Sequence, residues 1–231
     1  MIRAVLFDVG GPLDTEVRHE AAINADIRAA LAHEGFEVDD AAYAAAEQYA
    51  VATFAPNAYG AIIWNLTRGD ASASARVWQW TASQSGQRDV FDLREGIGEV
   101  LESIRVRGLK LGLAANQPMA VVEKLAKHGI GHNFESWGIS GVHGYRKPDV
   151  RLFLRACEDL NVAPDQCIMV GDRIDCDIVP ANLLGMRTVR LITGRHRDQE
   201  PGSWDELPDH EVEDAAGILS AIEAILAKEG A

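Results

Sequence analysis

The stretch that decides the fold is MIRAVLFDVGGPLDTE, residues 1–16. Apolar β-formers from Ala4 to Phe7 lead into one carboxylate, Asp8, and then directly into Gly10, Gly11 and Pro12. A short apolar run bounded by turn residues is the signature of a strand buried on both faces. An acid delivered at its end by a glycine turn lies where ligands bind in open α/β sheets, beyond the carboxyl ends of the strands.

Four further segments repeat the pattern: LKLGLAAN (109–116), SWGIS (136–140), QCIMVGD (166–172) and MRTVRLI (186–192). Between them lie helical periods. REGIGEVLESIRVRG (94–108) aligns Ile97, Val100, Leu101 and Ile104 and ends at Gly108. PDVRLFLRACEDL (148–160) opens on Pro148 and aligns Val150, Phe153, Cys157 and Leu160. A polar loop, residues 193–210, precedes a last short strand and a helix over 214–230. Strands alternating with helices predict an α/β fold, a Rossmann-like parallel sheet covered on both faces. Residues 17–89 break this alternation. They are Ala-rich, helical in pattern, and carry Trp64, Trp78 and Trp80. They are expected to be a helical insertion placed to cover the strand ends, with its tryptophans in its core. The domains are therefore 1–16 with 90–231, and 17–89.

Composition narrows the function. The chain has 231 residues, 47% of them hydrophobic, enough for a sizeable core. Its 22 Lys and Arg against 35 Asp and Glu give a formal charge of −13. Such a balance repels nucleic-acid backbones and anionic membranes, so neither is expected as a partner. Nothing resembles a secretory leader, and no run of about 18 apolar residues occurs, so a soluble, cytoplasmic protein is expected. Cys157, Cys167 and Cys176 form no CxxC pair, which fits a reducing compartment and packing roles. Oligomeric state is not written in the sequence.

The chemistry-bearing residues fall at strand ends. Asp8 ends the first, Asn116 follows the second, Lys147 stands before Pro148, and VGDRIDCDIVPANLLGM (170–186) sets Asp172, Asp175 and Asp177 after the fourth. Carboxylates converging on one crevice repel one another unless a cation joins them, and a hard ion such as Mg²⁺ suits oxygen donors. One of the later acids is expected merely to cap a helix that contains Pro180 and ends at Gly185, with Asp175 preferred for that role.

FDVGGPL, LGLAANQP, YRKPDVRLF and MVGDRIDCDIVPANLLGM resemble, in order and spacing, the four motifs of the haloacid dehalogenase-like hydrolases, from the start of the chain to about residue 192. The insertion falls where that family places a C1 cap. The resemblance implies a Mg²⁺-dependent phosphohydrolase acting on a small phosphorylated metabolite, with Asp8 as nucleophile. Asp8, the Gly10 carbonyl and Asp172 would hold the metal, with Asp177 as a direct or outer ligand. Lys147 would neutralise the phosphoryl group, and the Gly10–Gly11 turn and Asn116 would bind its oxygens. Two positions depart from the family pattern: Gly10 stands where a second Asp usually serves as general acid and base, and Ala115 where Ser or Thr is usual. A general acid contributes about 10²–10⁴-fold. Its loss weakens catalysis; Asp14, Glu16 and His19 are the nearest replacements in sequence. The same departures also fit a catalytically silent protein that binds a phosphorylated ligand or a partner. A dehalogenase-like attack on carbon is a further alternative, disfavoured by the metal acids and by Gly10 where an aromatic residue would be expected. Phosphonate chemistry through a cap Schiff base is closed, because residues 17–89 contain no lysine. The GRHR run at 194–197 is expected to be solvated.

Overall fold

A computed structural model describes residues 1–85 and 90–229. The chain divides into two compact units, Met1–Thr15 with Leu93–Ala231, and Glu16–Asp92. The predicted end of the insertion at residue 89, and the last residue of the predicted final helix, lie outside the described residues.

The first unit is a six-stranded, all-parallel sheet in the order β3-β2-β1-β4-β5-β6. The strands are β1 (Ala4–Phe7), β2 (Lys110–Ala115), β3 (Ser136–Ile139), β4 (Cys167–Gly171), β5 (Arg187–Leu191) and β6 (His210–Val212). Each segment predicted as a strand is one. Every residue of β1 and β4 is buried, as a central parallel strand requires. The chain winds outward from β1 through β2 to β3, then returns to β4 on the other side. The strand order therefore reverses between β1 and β4, where crevices form in such sheets. Phe7 pairs with Val170, and the Asp8 N–H donates to the Val170 carbonyl at 2.9 Å, so Asp8 emerges beside the loop that carries Asp172.

The helix Ile97–Val106 (numbered α5 in chain order) buries the four residues that its period aligned. The helix Val150–Leu160 (α8) starts two residues after Pro148, because the Asp149 carboxylate caps it by accepting the Arg151 N–H. It buries Leu152, Phe153, Ala156, Cys157 and Leu160 against Ala4, Leu6 and Met169 of the sheet. Val150, expected on that face, is only half-buried.

The second unit contains four helices, Val17–His33, Asp40–Ala52, Ala58–Leu66 and Ala71–Ser85 (α1 to α4), and no strand among its described residues. Asp39 and Asn57 cap α2 and α3 by accepting the N–H groups of Ala42 and Gly60. Ile27, Leu31, Tyr43, Ile62, Ile63 and Val77 form its core. The tryptophans depart from expectation. Trp64 and Trp78 are 52% and 42% exposed, and only Trp80 packs against that core. No described helix in either unit is long and apolar enough to cross a membrane.

Candidate active site

Asp8, Lys147, Asp172 and Asp177, drawn from three separated stretches of sequence, meet at the carboxyl ends of β1 and β4. The Lys147 ammonium lies 2.9 Å from Asp8 Oδ2 and 2.6 Å from Asp177 Oδ1. One oxygen from each of Asp8, Asp172 and Asp177 lies within 4.8 Å of the others. The Lys147 and Asp177 side chains are 2% and 0% exposed, so the pair is shielded from solvent. Buried charges survive only when they are paired and hydrogen-bonded.

The bonding divides the labour among the carboxylates. Asp177 Oδ1 accepts from Lys147, and Oδ2 accepts the N–H groups of Asp172 and Arg173 at 3.2 and 3.0 Å. Both oxygens of Asp177 are thus engaged, and it anchors the lysine and the loop that bears Asp172. Gly171 makes this possible, since a Cβ there would lie 2.3 Å from Asp177 Cγ. Asp8 Oδ1 accepts the Val9 N–H at 2.7 Å, so that amide of the turn serves Asp8 itself. Gly11 has φ +78°, and a Cβ would lie 2.8 Å from Asp172 Cβ, so only glycine allows the turn to pack against that acid.

Burial raises the Asp8 carboxyl to about 6; Lys147 opposes this, and the Asp177 charge adds to it. Burial alone would lower the Lys147 ammonium. The carboxylates of Asp177 and Asp8 together outweigh that effect and raise it, so the lysine stays charged.

Asn116 sits beside the cluster through the main chain of Lys147. Its Oδ1 accepts the Lys147 N–H at 2.8 Å and its Nδ2 donates to the Lys147 carbonyl at 3.0 Å, which leaves one Nδ2 hydrogen for a ligand. Asp175 and Asp177 do not cap the following helix, contrary to expectation. Residues Ile174–Ile178 form a π-turn that runs into Val179–Leu183 (α9) without a side-chain cap. Asp175 instead pairs with Arg173 at 2.6 Å and accepts from Gln199 at 3.4 Å. The GRHR run forms a short 3-10 turn whose His196 and Arg197 carbonyls accept from Arg190.

Three neighbours of the cluster carried no expectation from sequence. Gly171 had a signal, being the glycine before the acid in the fourth motif. Arg190, 1% exposed, donates weakly to the Asp172 carbonyl at 3.4 Å and pairs with Glu211 at 3.0 Å. Its signal is a charge inside an apolar strand. Arg94 had none, yet its Nε donates to the Gly11 carbonyl at 2.8 Å.

An all-carboxylate oxygen set suits a hard divalent cation rather than a soft one. Asp8, Asp172 and Asp177 could each offer one carboxylate oxygen to such an ion.

This constellation, on a sheet of this order, defines a class. Residues 2–185 match the family model of haloacid dehalogenase-like hydrolases, and the chain belongs to that family. The glyceraldehyde 3-phosphate phosphatase of Methanopyrus kandleri is 40% identical over 124 residues, 53% of this chain and 53% of that one. The phosphoserine phosphatase of Thermus thermophilus is 38% identical over 122 residues, 52% of this chain and 47% of that one. The chain thus spans about half the length of the curated relatives it matches. A predicted phosphoglycolate phosphatase from Haemophilus somnus 129PT shares the fold, with a TM-score of 0.73 at 21% identity over 96% of this chain and 98% of that one.

Proposed function

We propose that the protein is a Mg²⁺-dependent phosphohydrolase that acts on a small phosphorylated metabolite through Asp8. The observation that carries this reading is the Lys147 ammonium set between Asp8 and Asp177, with Asp172 in the same cluster. The related glyceraldehyde 3-phosphate and phosphoserine phosphatases point to the same substrate class. An Asp8 oxygen attacks phosphorus and forms an aspartyl-phosphate as the leaving oxygen departs; water then hydrolyses it and frees Asp8. Lys147 neutralises the phosphoryl oxygens, which is the main demand of a loose transition state. The remaining Asn116 hydrogen and the Gly10–Gly11 turn bind those oxygens. Asp8, the Gly10 carbonyl and Asp172 would hold Mg²⁺, with Asp177 as a direct or outer ligand, and the ion would supply further charge neutralisation. The helical unit inserted between Thr15 and Leu93 serves as the cap that selects the rest of the substrate. A carboxylate cluster of this kind has no use in attack on carbon, so the dehalogenase reading is not preferred.

Gly10 offers no proton to the leaving group. Aryl, acyl and anomeric phosphates should therefore react much faster than phosphates of simple alcohols. Rates measured across aryl and alkyl phosphates should fall steeply with leaving-group pKa, and Gly10→Asp should flatten the slope by raising the poor substrates. A flat dependence in the unmodified protein would show that another residue supplies the proton.

A further inference from the structure

Arg94 lies outside all four sequence motifs, yet it reaches the centre of the site. Its main-chain N–H donates to the Leu13 carbonyl at 2.8 Å, and Leu93 beside it forms a bridge with Asp14. Asp14 in turn bridges Gly10, so the backbone at Leu93–Arg94 backs the whole glycine turn. The guanidinium then spans two loops: Nε donates to the Gly11 carbonyl at 2.8 Å and a terminal nitrogen donates to Thr193 Oγ1 at 3.1 Å. Gly11 itself packs against Asp172. Arg94 thus holds, through Gly11, the turn that packs against Asp172.

The charges around it tell the same story. Burial lowers the Arg94 guanidinium from its usual value, and Asp172, Asp14 and Asp214 oppose this, Asp172 most strongly. Among the described residues those three are the carboxylates acting on it, from the loops after β4, after β1 and before the helix Ala215–Glu229 (α10). Lys147 serves Asp8 and Asp177. Arg94 is a cation on which Asp172 acts through space, and the turn it holds at Gly11 packs against Asp172.

We propose that Arg94 is a positioning residue for the phosphoryl-transfer site: it ties the glycine turn in place through the Gly11 carbonyl and balances Asp172 through space. This rests on the phosphohydrolase reading above. The two tasks separate by substitution. A fixed positive charge close to Asp172 repels an incoming divalent cation, whereas the tie to Gly11 needs the guanidinium's directed N–H. Arg94→Met removes both, and Arg94→Lys keeps the charge while losing the paired geometry.

The test is calorimetric titration with Mg²⁺ alone on the full chain, with steady-state kinetics on an aryl phosphate beside it and circular dichroism as the folding control. Arg94→Met should bind Mg²⁺ about tenfold more tightly than wild type, and Arg94→Lys should return to the wild-type affinity. In both variants kcat should fall by about tenfold or more with KM little changed, because the turn that carries the reacting groups is no longer held. A merely structural arginine would not tighten metal binding or show rescue by lysine. Equal or weaker Mg²⁺ affinity in a folded Arg94→Met variant overturns the assignment, as does a lysine variant that binds like methionine. If the wild type binds Mg²⁺ but releases no phosphate, the phosphohydrolase reading fails while the titration still decides the charge balance at Asp172.

Discussion

The two units differ in where they gather charge. In the sheet unit, Asp8, Lys147, Asp172 and Asp177 are all buried at the strand ends and bonded to one another or to the main chain. In the helical unit one acid, Asp26, is buried, and the pairs Arg76 with Glu34, 56% and 18% exposed, and Arg28 with Asp40, 35% and 99% exposed, reach solvent. Its buried threonines, Thr67 and Thr81, bond to carbonyls of their own helices. Clustered buried charge is costly, and hydrophobic side chains of similar volume are often as stable or more so. Its concentration at the switch point of the sheet marks a place kept for chemistry rather than for stability.

The contrast breaks most visibly at Asp8. Asp8→Asn and Asp172→Asn should each lower Mg²⁺-dependent phosphate release by about 10³-fold or more while the circular dichroism spectrum is retained. Wild-type rates in the Asp8 variant would remove the nucleophile from the account.

Next in size is a pair of substitutions, one in each unit. Lys147→Met leaves Asp177 buried without its counter-charge and should cost about 3–5 kcal/mol of stability. Arg76→Ala removes an exposed pair and should cost no more than about 1 kcal/mol. Urea unfolding of both reads the difference, and equal losses would mean that the buried cluster is not held as a charged network.

The smallest effect is a pH slope. Asp8 titrates near 6 in the folded chain, above its ordinary value of 3.8, so the folded protein holds a proton that the unfolded chain has already released. The stability this confers is complete below about pH 3.8 and is lost as pH rises through about 6. For metal-free protein, the melting temperature of wild type minus that of Asp8→Asn should fall between those values and level off above them. A difference that stays flat over this range and changes only below about pH 3.8 would mean that pairing with Lys147 outweighs burial.

Much of this was legible in the sequence because strand-end chemistry is written locally. An apolar run followed by Asp8, Lys147 before Pro148, and Gly171 before Asp172 each place a residue with no knowledge of its partners. What stayed hidden depends on contacts between distant segments. Asn116 meets the Lys147 main chain across 31 residues, and Arg94 meets Gly11 across 83. Asp175 looked like a helix cap until the π-turn turned it toward Arg173 and Gln199. The exposed Trp64 and Trp78 were misplaced because hydrophobicity alone does not tell which face of a helix a large ring occupies.

The most direct test of the central claim is to trap the acyl-phosphate. Wild type turning over an aryl phosphate with Mg²⁺ is quenched and reduced with borohydride, and the residue at position 8 is identified by peptide mass spectrometry. Attack by Asp8 predicts homoserine at that position, only with substrate and Mg²⁺ present. Rapid phosphate release under the same conditions with Asp8 unmodified would contradict it.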